Sequence, residues 1–228
     1  MKALITGASS GIGRDIAKIL SKKGYDLALV SRDEEKLQNV KRELEKNNVK
    51  IEIYAMDLSI EENCKNLHKK VKNIDILINN AGISIVGLFQ ELTRQEWDRI
   101  FNVNTGSLYN CCHFAVPDMI HNHCGKIINI SSVWGVCGAS CEVAYSATKG
   151  AVNAFTKALA KELAPSNIQV NAIACGAIDT DMNKFLTEDD MNSLIEEIPA
   201  GRLGSGEDVA NLIYRLATEH DYLTGQAS

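Results

Sequence analysis

KALITGASSGIG, Lys2 to Gly13, is the stretch on which the reading of this chain turns. Lys2–Thr6 is a short apolar run of the kind that forms a strand covered on both faces. Glycines follow at Gly7, Gly11 and Gly13, spaced G-x₃-G-x-G, and a helical pattern begins at once. Glycine serves such a turn where φ is positive, where backbone must approach a pyrophosphate, and where helix meets strand closely. The helix N-terminus then offers free N–H groups to an anion. Strand, glycine turn and helix in this order predict a dinucleotide-binding βαβ unit, with Ser9, Ser10 and Ile12 in the turn beside the glycines.

Outward from that unit, β-rich runs alternate with helical stretches. Tyr25–Ser31, Lys50–Met56, Asp75–Asn79, Lys126–Ser132 and Ile168–Ala174 read as further strands. Between them lie stripes of helical period: Leu37, Val40 and Leu44; then Trp97, Phe101, Leu108 and Cys111; then Val152, Phe155, Leu159 and Leu163. The alternation predicts an α/β fold, a Rossmann-type doubly wound parallel sheet. No linker or composition break divides residues 1–228, so a single domain is expected. Residues 176–206 interrupt the alternation with a helical excursion at a strand's C-terminal end, where ligands bind in open α/β sheets. That excursion is expected to be a lid or substrate wall. Its acids Asp179, Asp181, Asp189 and Asp190 read as helix N-terminal charge.

Composition excludes several classes. The formal charge is −5, from 24 basic and 29 acidic residues, which argues against nucleic acid as a partner. No apolar run reaches the roughly 18–20 residues that a membrane-spanning helix needs. The N-terminus has too short an apolar stretch for a signal peptide. Seven cysteines, an odd number in a chain with no export signal, predict reduced thiols and a cytoplasmic location. His121, His123, Cys124, Cys137 and Cys141 contain no C-x₂-C pair, so no metal is expected. The cysteines read instead as small buried hydrophobes.

TGASSGIG, NNAG at Asn79–Gly82, NVN at Asn102–Asn104 and YSATK at Tyr145–Lys149 together resemble the short-chain dehydrogenase/reductase family, nearest its β-ketoacyl-acyl-carrier-protein reductase branch. The resemblance runs from residue 1 to 226. It implies a nicotinamide cofactor and a homotetramer or homodimer. It also places Asp57 and Leu58 at the adenine edge, Asn79, Asn80, Ala81 and Gly82 along the adenosine, and Gly176, Ile178 and Thr180 by the nicotinamide. Where relatives carry Pro-Gly, this chain has Cys175-Gly176.

The choice of cofactor follows from charge. A free ribose 2′-OH is read by a carboxylate at the end of the second strand. That place holds Ser31, followed by Arg32, whose guanidinium can pair a 2′-phosphate. NADP(H) is therefore expected over NAD(H), although the carboxylate of Asp33 comes next.

Tyr145 and Lys149, four residues apart, share one helix face. A tyrosine ionises near 10, and a nearby ammonium is expected to lower that value. The pair then acts as general acid toward a ketone or base toward an alcohol. In the family, Lys149 also binds the ribose hydroxyls. Ser132, thirteen residues upstream at a strand end, matches the family's carbonyl-polarising serine. Asn104 falls within an apolar stripe, where a buried amide needs partners. In the family that asparagine holds a water relaying protons from Lys149.

Expected, then, is hydride transfer between NADP(H) and a carbonyl or secondary alcohol, on a substrate like a 3-oxoacyl thioester. A dehydrogenase of another small alcohol, sugar or steroid is the alternative, and a non-catalytic dinucleotide-binding sensor or scaffold is the reading of another class. An acyl carrier protein needs basic docking residues. His123 and Ser166 stand where relatives tend to have arginines, leaving Lys126 and Arg202 as candidates, so weak carrier dependence is expected. Relatives continue from a similar TGQ into a last strand, which the sheet is expected to lack.

Overall fold

The computed structural model describes residues 1–183, 187–219 and 221–227. Strands β1 (Lys2–Thr6), β2 (Asp26–Ser31), β3 (Ile51–Ala55), β4 (Ile76–Asn79), β5 (Gly125–Ser132) and β6 (Ile168–Cys175) pair in parallel in the order β3-β2-β1-β4-β5-β6. The helices are α1 (Gly11–Lys22), α2 (Glu34–Leu44), α3 (Glu61–Lys70), α4 (Arg94–Phe101), α5 (Ser107–Asn122), the single turn α6 (Trp134–Cys137), α7 (Val143–Leu163), α8 (Glu188–Glu197) and α9 (Gly206–Thr218). This is the Rossmann-type sheet that the sequence predicts.

Side-chain alternation along the strands builds two cores. Ala3 and Ile5 of β1 join Ile16 and Leu20 of α1, Leu37 and Val40 of α2 and Ile213 of α9. Leu4, between them, joins Leu67 of α3, Cys111 and Met119 of α5 and Val152 and Leu163 of α7 on the opposite face. Both faces are covered, which is why the strands read as near-continuous apolar runs. Truncating one of the fully buried side chains, such as Ile5 or Leu20, to alanine removes about 2–5 kcal/mol of stability.

The stripe from Trp97 to Cys111 is not one helix. α4 and α5 are separated by a π-helical turn, Asn102–Gly106, and the residue that α4 buries completely is Ile100. Trp97 and Phe101 are only partly buried and stack on each other at 4.6 Å. The inserted turn rotates the stripe, which is why a strict 3.6 period across it misleads.

The excursion after β6 returns to its own start. Asp179 N–H donates to Gly204 O and Gly204 N–H donates to Ala177 O, at 2.8 and 2.9 Å. Within it Asp190 closes a capping box with Thr187 at the start of α8, the helix-terminal role expected of it. Residues 184–186 of this stretch lie outside the described residues.

Among the described residues the sheet has six strands, yet the outer edge of β6 is not bare. Gly225 N–H donates to Val170 O and Ala172 N–H to Gln226 O, both at 2.8 Å, with Ala227 bridging to Ala172 in parallel. The cysteines divide: Cys64, Cys111, Cys112 and Cys175 are buried, whereas Cys124 and Cys137 are exposed and Cys141 is intermediate. Burial as small hydrophobes therefore describes the first four alone. The other three sit on loops and short turns at the surface.

Candidate active site

β1 and β4 are neighbours in the sheet but lead to helices on opposite faces, so a crevice opens beyond their C-terminal ends. Thr6 and Asn80 pin that opening. Thr6 Oγ1 accepts from the N–H groups of Asn80 and Ala81, each at 2.9 Å, and Asn80 Nδ2 donates to the carbonyls of Thr6 and Gly7. Gly7 and Gly11 have φ of +64° and +49°, the left-handed region where a side chain strains the backbone. Ser10 caps α1 without a side-chain bond, leaving first-turn N–H groups for a ligand. Thr180 closes over this turn, since a Cβ on Gly11 would lie 3.3 Å from its Cγ2.

The resulting cleft encloses about 1170 Å³. It is lined by Gly7, Ser9, Ser10, Gly11 and Ile12, by Ser31, Arg32, Asp57 and Leu58, by Asn80, Ala81 and Gly82, and by Ser132, Tyr145, Lys149, Gly176, Ile178 and Thr180. Two expected lining residues are elsewhere. Gly13 packs against the turn itself, where a Cβ would come within 2.2 Å of Gly7 O. Asn79 is turned under the sheet, donating to Asn129 Oδ1 at 2.9 Å and to Cys112 Sγ at 3.4 Å, with its own Oδ1 buried and unpaired. Alternation along β4 sends Asn79 inward while the backbone of the next three residues rims the cleft.

At the β2 end the carboxylate of Asp33 is committed to capping α2. Its Oδ1 accepts from Lys36 N–H at 2.9 Å, and its other oxygen pairs with Lys36 Nζ at 3.7 Å. Arg32 and Lys36 both line this end and are exposed. Asp57 is fixed by the N–H and hydroxyl of Ser59, at 2.9 and 2.7 Å. Burial pushes its carboxyl up, but those bonds and the charge of Arg32 outweigh burial and hold it below the ordinary range.

The opposite end is built from three elements. Ser132 ends β5, Tyr145 and Lys149 come from α7, and Asn104 comes from the π turn. Trp134 N–H donates to Ser132 Oγ at 3.2 Å, which leaves the serine proton to point elsewhere. Lys149 is 5% exposed, donates from Nζ to Ile130 O at 2.7 Å, and lies 5.5 Å from the Tyr145 ring centre. Burial pushes its pKa down to about 8. Burial also raises Tyr145, to about 12, against a hydrogen bond from Ser132 that lowers it. The expectation that the lysine lowers the tyrosine is thus not met in this geometry: the ammonium is spent on a carbonyl, and desolvation of the phenolate dominates.

Asn104 is buried, as its place in the stripe suggested, and its amide is occupied. Oδ1 accepts from Ile83 N–H at 2.8 Å, while Nδ2 donates to Ile83 O and Thr148 Oγ1 at 2.9 and 3.0 Å. Both amide hydrogens are used, so a relay water has only the remaining oxygen lone pair and the backbone to bind. Gly82 threads between, since a Cβ there would lie 3.4 Å from Asn104 Oδ1 and 3.6 Å from Lys149 Nζ. Gly135 is far more tightly constrained, because a Cβ would fall 2.6 Å from the Lys149 carbonyl carbon.

Sequence reasoning overlooked Thr6, Lys36, Ser84, Gly135 and Glu142. Thr6 opens the TGASSGIG motif and Gly135 carries no local signal, and the contacts of both appear only with their neighbours across the fold. Glu142, three residues before Tyr145, was within reach of the one-turn spacing that joined Tyr145 to Lys149. Cys175 also lines the cleft, its thiol pushed up by burial to about 11. Lys126, offered as a docking cation, stands at the wrong edge of the sheet. It lies six residues from Ser132 along β5, roughly 20 Å away at strand rise, and pairs with Asp221 at 2.8 Å. His123 precedes the same strand, and Ser166 precedes β6, at that far edge. Arg202 pairs with Asp208 at 2.9 Å.

Residues 1–191 match the family model described as short chain dehydrogenase. The chain is 39% identical over 230 residues to the 3-oxoacyl-[acyl-carrier-protein] reductase FabG of Aquifex aeolicus, covering 98% of this chain and 93% of that protein. It is 39% identical over 231 residues to the uncharacterized oxidoreductase YmfI of Bacillus subtilis, covering 98% and 94%. The crystal structure of 3-oxoacyl-[acyl-carrier protein] reductase from Brucella melitensis superposes with a TM-score of 0.94 at 31% identity, covering 99% of this chain and 88% of that one. YwfH, an NADPH dependent reductase involved in bacilysin biosynthesis, superposes at 0.93 with 27% identity, covering 99% and 94%. The glycine turn, the crevice and these similarities lead to one conclusion: the chain belongs to the short-chain dehydrogenase/reductase family, in the branch of the 3-oxoacyl reductases, and is an oxidoreductase acting on carbonyl or CH–OH groups.

Proposed function

We propose that the protein reduces a carbonyl, of the 3-oxoacyl-thioester kind, at the expense of NADPH. The observation that carries this reading is the polarity of the cleft. Arg32 and Lys36 stand at one end, where Asp33 also lines the cleft but spends one carboxylate oxygen on the α2 cap, and Ser132, Tyr145 and Lys149 meet at the other. The residues fit a dinucleotide: the positive-φ glycines leave room for a pyrophosphate and α1 points its N-terminus there. Arg32 and Lys36 would hold a 2′-phosphate, Asp57 and Leu58 the adenine edge, and Ile178 and Thr180 the carboxamide. Bound there, the nicotinamide supplies the hydride.

The chain's own groups handle the proton and the charge. Tyr145 holds its proton at Oη, secured by burial, and delivers it to the carbonyl oxygen. Ser132 Oγ, oriented by Trp134 N–H, donates to that oxygen and stabilises the charge developing on it. Lys149, whose Nζ lies near Gly82, would bind ribose hydroxyls with its remaining N–H donors. The described residues 176–183 and 187–206 would form the wall over the substrate. The protein works as a soluble cytoplasmic homotetramer or homodimer, and its dependence on a carrier protein is weak because the candidate docking cations are paired or distant.

The test is NADPH oxidation with one acetoacetyl group presented on acyl carrier protein and on a small thiol. Turnover of both, with kcat/KM differing less than roughly tenfold, about 1.4 kcal/mol, is expected. A larger carrier advantage would restore the docking role. Turnover only of other ketones would move the substrate class, and binding of NADPH with no turnover of any ketone would make the protein a dinucleotide sensor.

A further inference from the structure

Beside Tyr145 the cleft carries a carboxylate that the proton and hydride chemistry does not use. Glu142 lines the cleft and is partly buried, and its Oε2 accepts from Ser84 Oγ at 2.7 Å. A backbone bond from Gly87 N–H to Cys141 O, at 2.8 Å, ties the same two loops together. The carboxylate is thus held by Ser84 on one oxygen, on loops that the backbone bond fixes together, with its remaining lone pairs available to a donor. Among the described lining residues the cations are Arg32, Lys36 and Lys149. The first two belong to the β2–α2 end. Lys149 stands at the Tyr145 end and gives one of its three N–H donors to Ile130 O. The charge of Glu142 already acts on the reacting groups, raising the phenol of Tyr145 further.

We propose that Glu142, anchored by Ser84, is a specificity-determining residue that excludes anionic substrates and accepts a hydrogen bond from neutral or donor-bearing ones. The proposal rests on the reductase reading and narrows its substrate class. A free keto acid would bring a second negative charge into a partly desolvated corner beside the carboxylate of Glu142, whose repulsion opposes the attraction of the Lys149 ammonium. A thioester, amide or hydroxy ketone meets no such repulsion, and an N–H or O–H on it can be accepted by Glu142.

The decisive measurement compares kcat/KM for acetoacetate with that for the acetoacetyl thioester of N-acetylcysteamine, using NADPH. The intrinsic reactivity difference between the two ketones cancels when their ratio is compared between proteins. The parent protein is expected to favour the thioester, and Glu142→Gln to shrink that preference about tenfold by admitting the acid. A shrinkage under about threefold in a folded, NADPH-binding variant would overturn the proposal. Glu142→Ala gives the same reading should the glutamine variant fail to fold. If the parent turns over no ketone at all, the reductase reading falls and this proposal falls with it. Thioester turnover with an unchanged ratio removes the subsite alone.

Discussion

Arg32 and Lys149 are both cations lining one cleft, and they live under different physics. Arg32 is exposed at the open β2 end, where water screens its charge and its worth is whatever a ligand adds. Lys149 is sealed beneath Tyr145 and the sheet, where desolvation lowers it to about 8 and a backbone carbonyl holds it in place. At the open end charge identity decides which molecule binds. At the closed end burial decides which protonation state a residue keeps. In the proposed reading the open end selects the cofactor and the closed end carries the reaction.

Substitutions at the two ends should separate these roles, beginning with the largest effect. Tyr145→Phe removes the transferable proton and little else, so turnover should fall at least about 10²-fold. NADPH affinity, measured by fluorescence titration, should stay nearly unchanged. An equal loss of affinity would mean that the two ends are not separable.

The pH dependence of the closed end follows from the same burial. Because the phenol is raised to about 12, the free protein should show no phenolate absorbance from Tyr145 below about pH 10. Subtracting the Tyr145→Phe titration from the parent's reads this directly. The sign carries into catalysis. Ketone reduction uses the protonated phenol and should be flat through neutral pH. Alcohol oxidation uses the phenolate and should rise with pH, by up to about tenfold per unit. A plateau near neutral pH, with chemistry rate-limiting, would show that bound cofactor overrides the burial.

The open end should respond less in rate and more in choice. Arg32→Ala should remove about 1.5–3 kcal/mol of the preference for NADPH over NADH, the size of a charged hydrogen bond, with kcat largely kept. Tighter binding of NADH than NADPH by the parent would reject the assignment. Asp33→Ala sharpens the contrast and has the smallest effect. It should cost about 1 kcal/mol of stability through the lost α2 cap and leave NADH affinity unaltered. Weaker NADH binding would show Asp33 reading the ribose after all.

The open end was also the more legible in sequence. Gly7, Gly11, Ser31 and Arg32 lie in short segments whose local conformation follows from their own residues. Asn79 shows the limit of motif reasoning, because one residue of NNAG is turned into the core by strand alternation while its three successors rim the cleft. The closed end was legible in its residues and not in its electrostatics. The four-residue spacing of Tyr145 and Lys149 put them on one face, but nothing in that spacing says that Ile130 O takes the ammonium.

The sequence by itself determined the parallel sheet and the glycine turn, because strand and helix periodicities and positive-φ turns are local consequences of residue type, while the candidate reacting side chains came from the family resemblance. Only the tertiary structure decided the protonation of Tyr145 and Lys149, the engagement of Asn104 and the carboxylate of Glu142 beside the phenol. Each of these depends on desolvation and on hydrogen bonds between segments distant in the chain or turned by the backbone. A one-dimensional pattern does not carry those quantities, because they are properties of what surrounds a residue rather than of the residue itself.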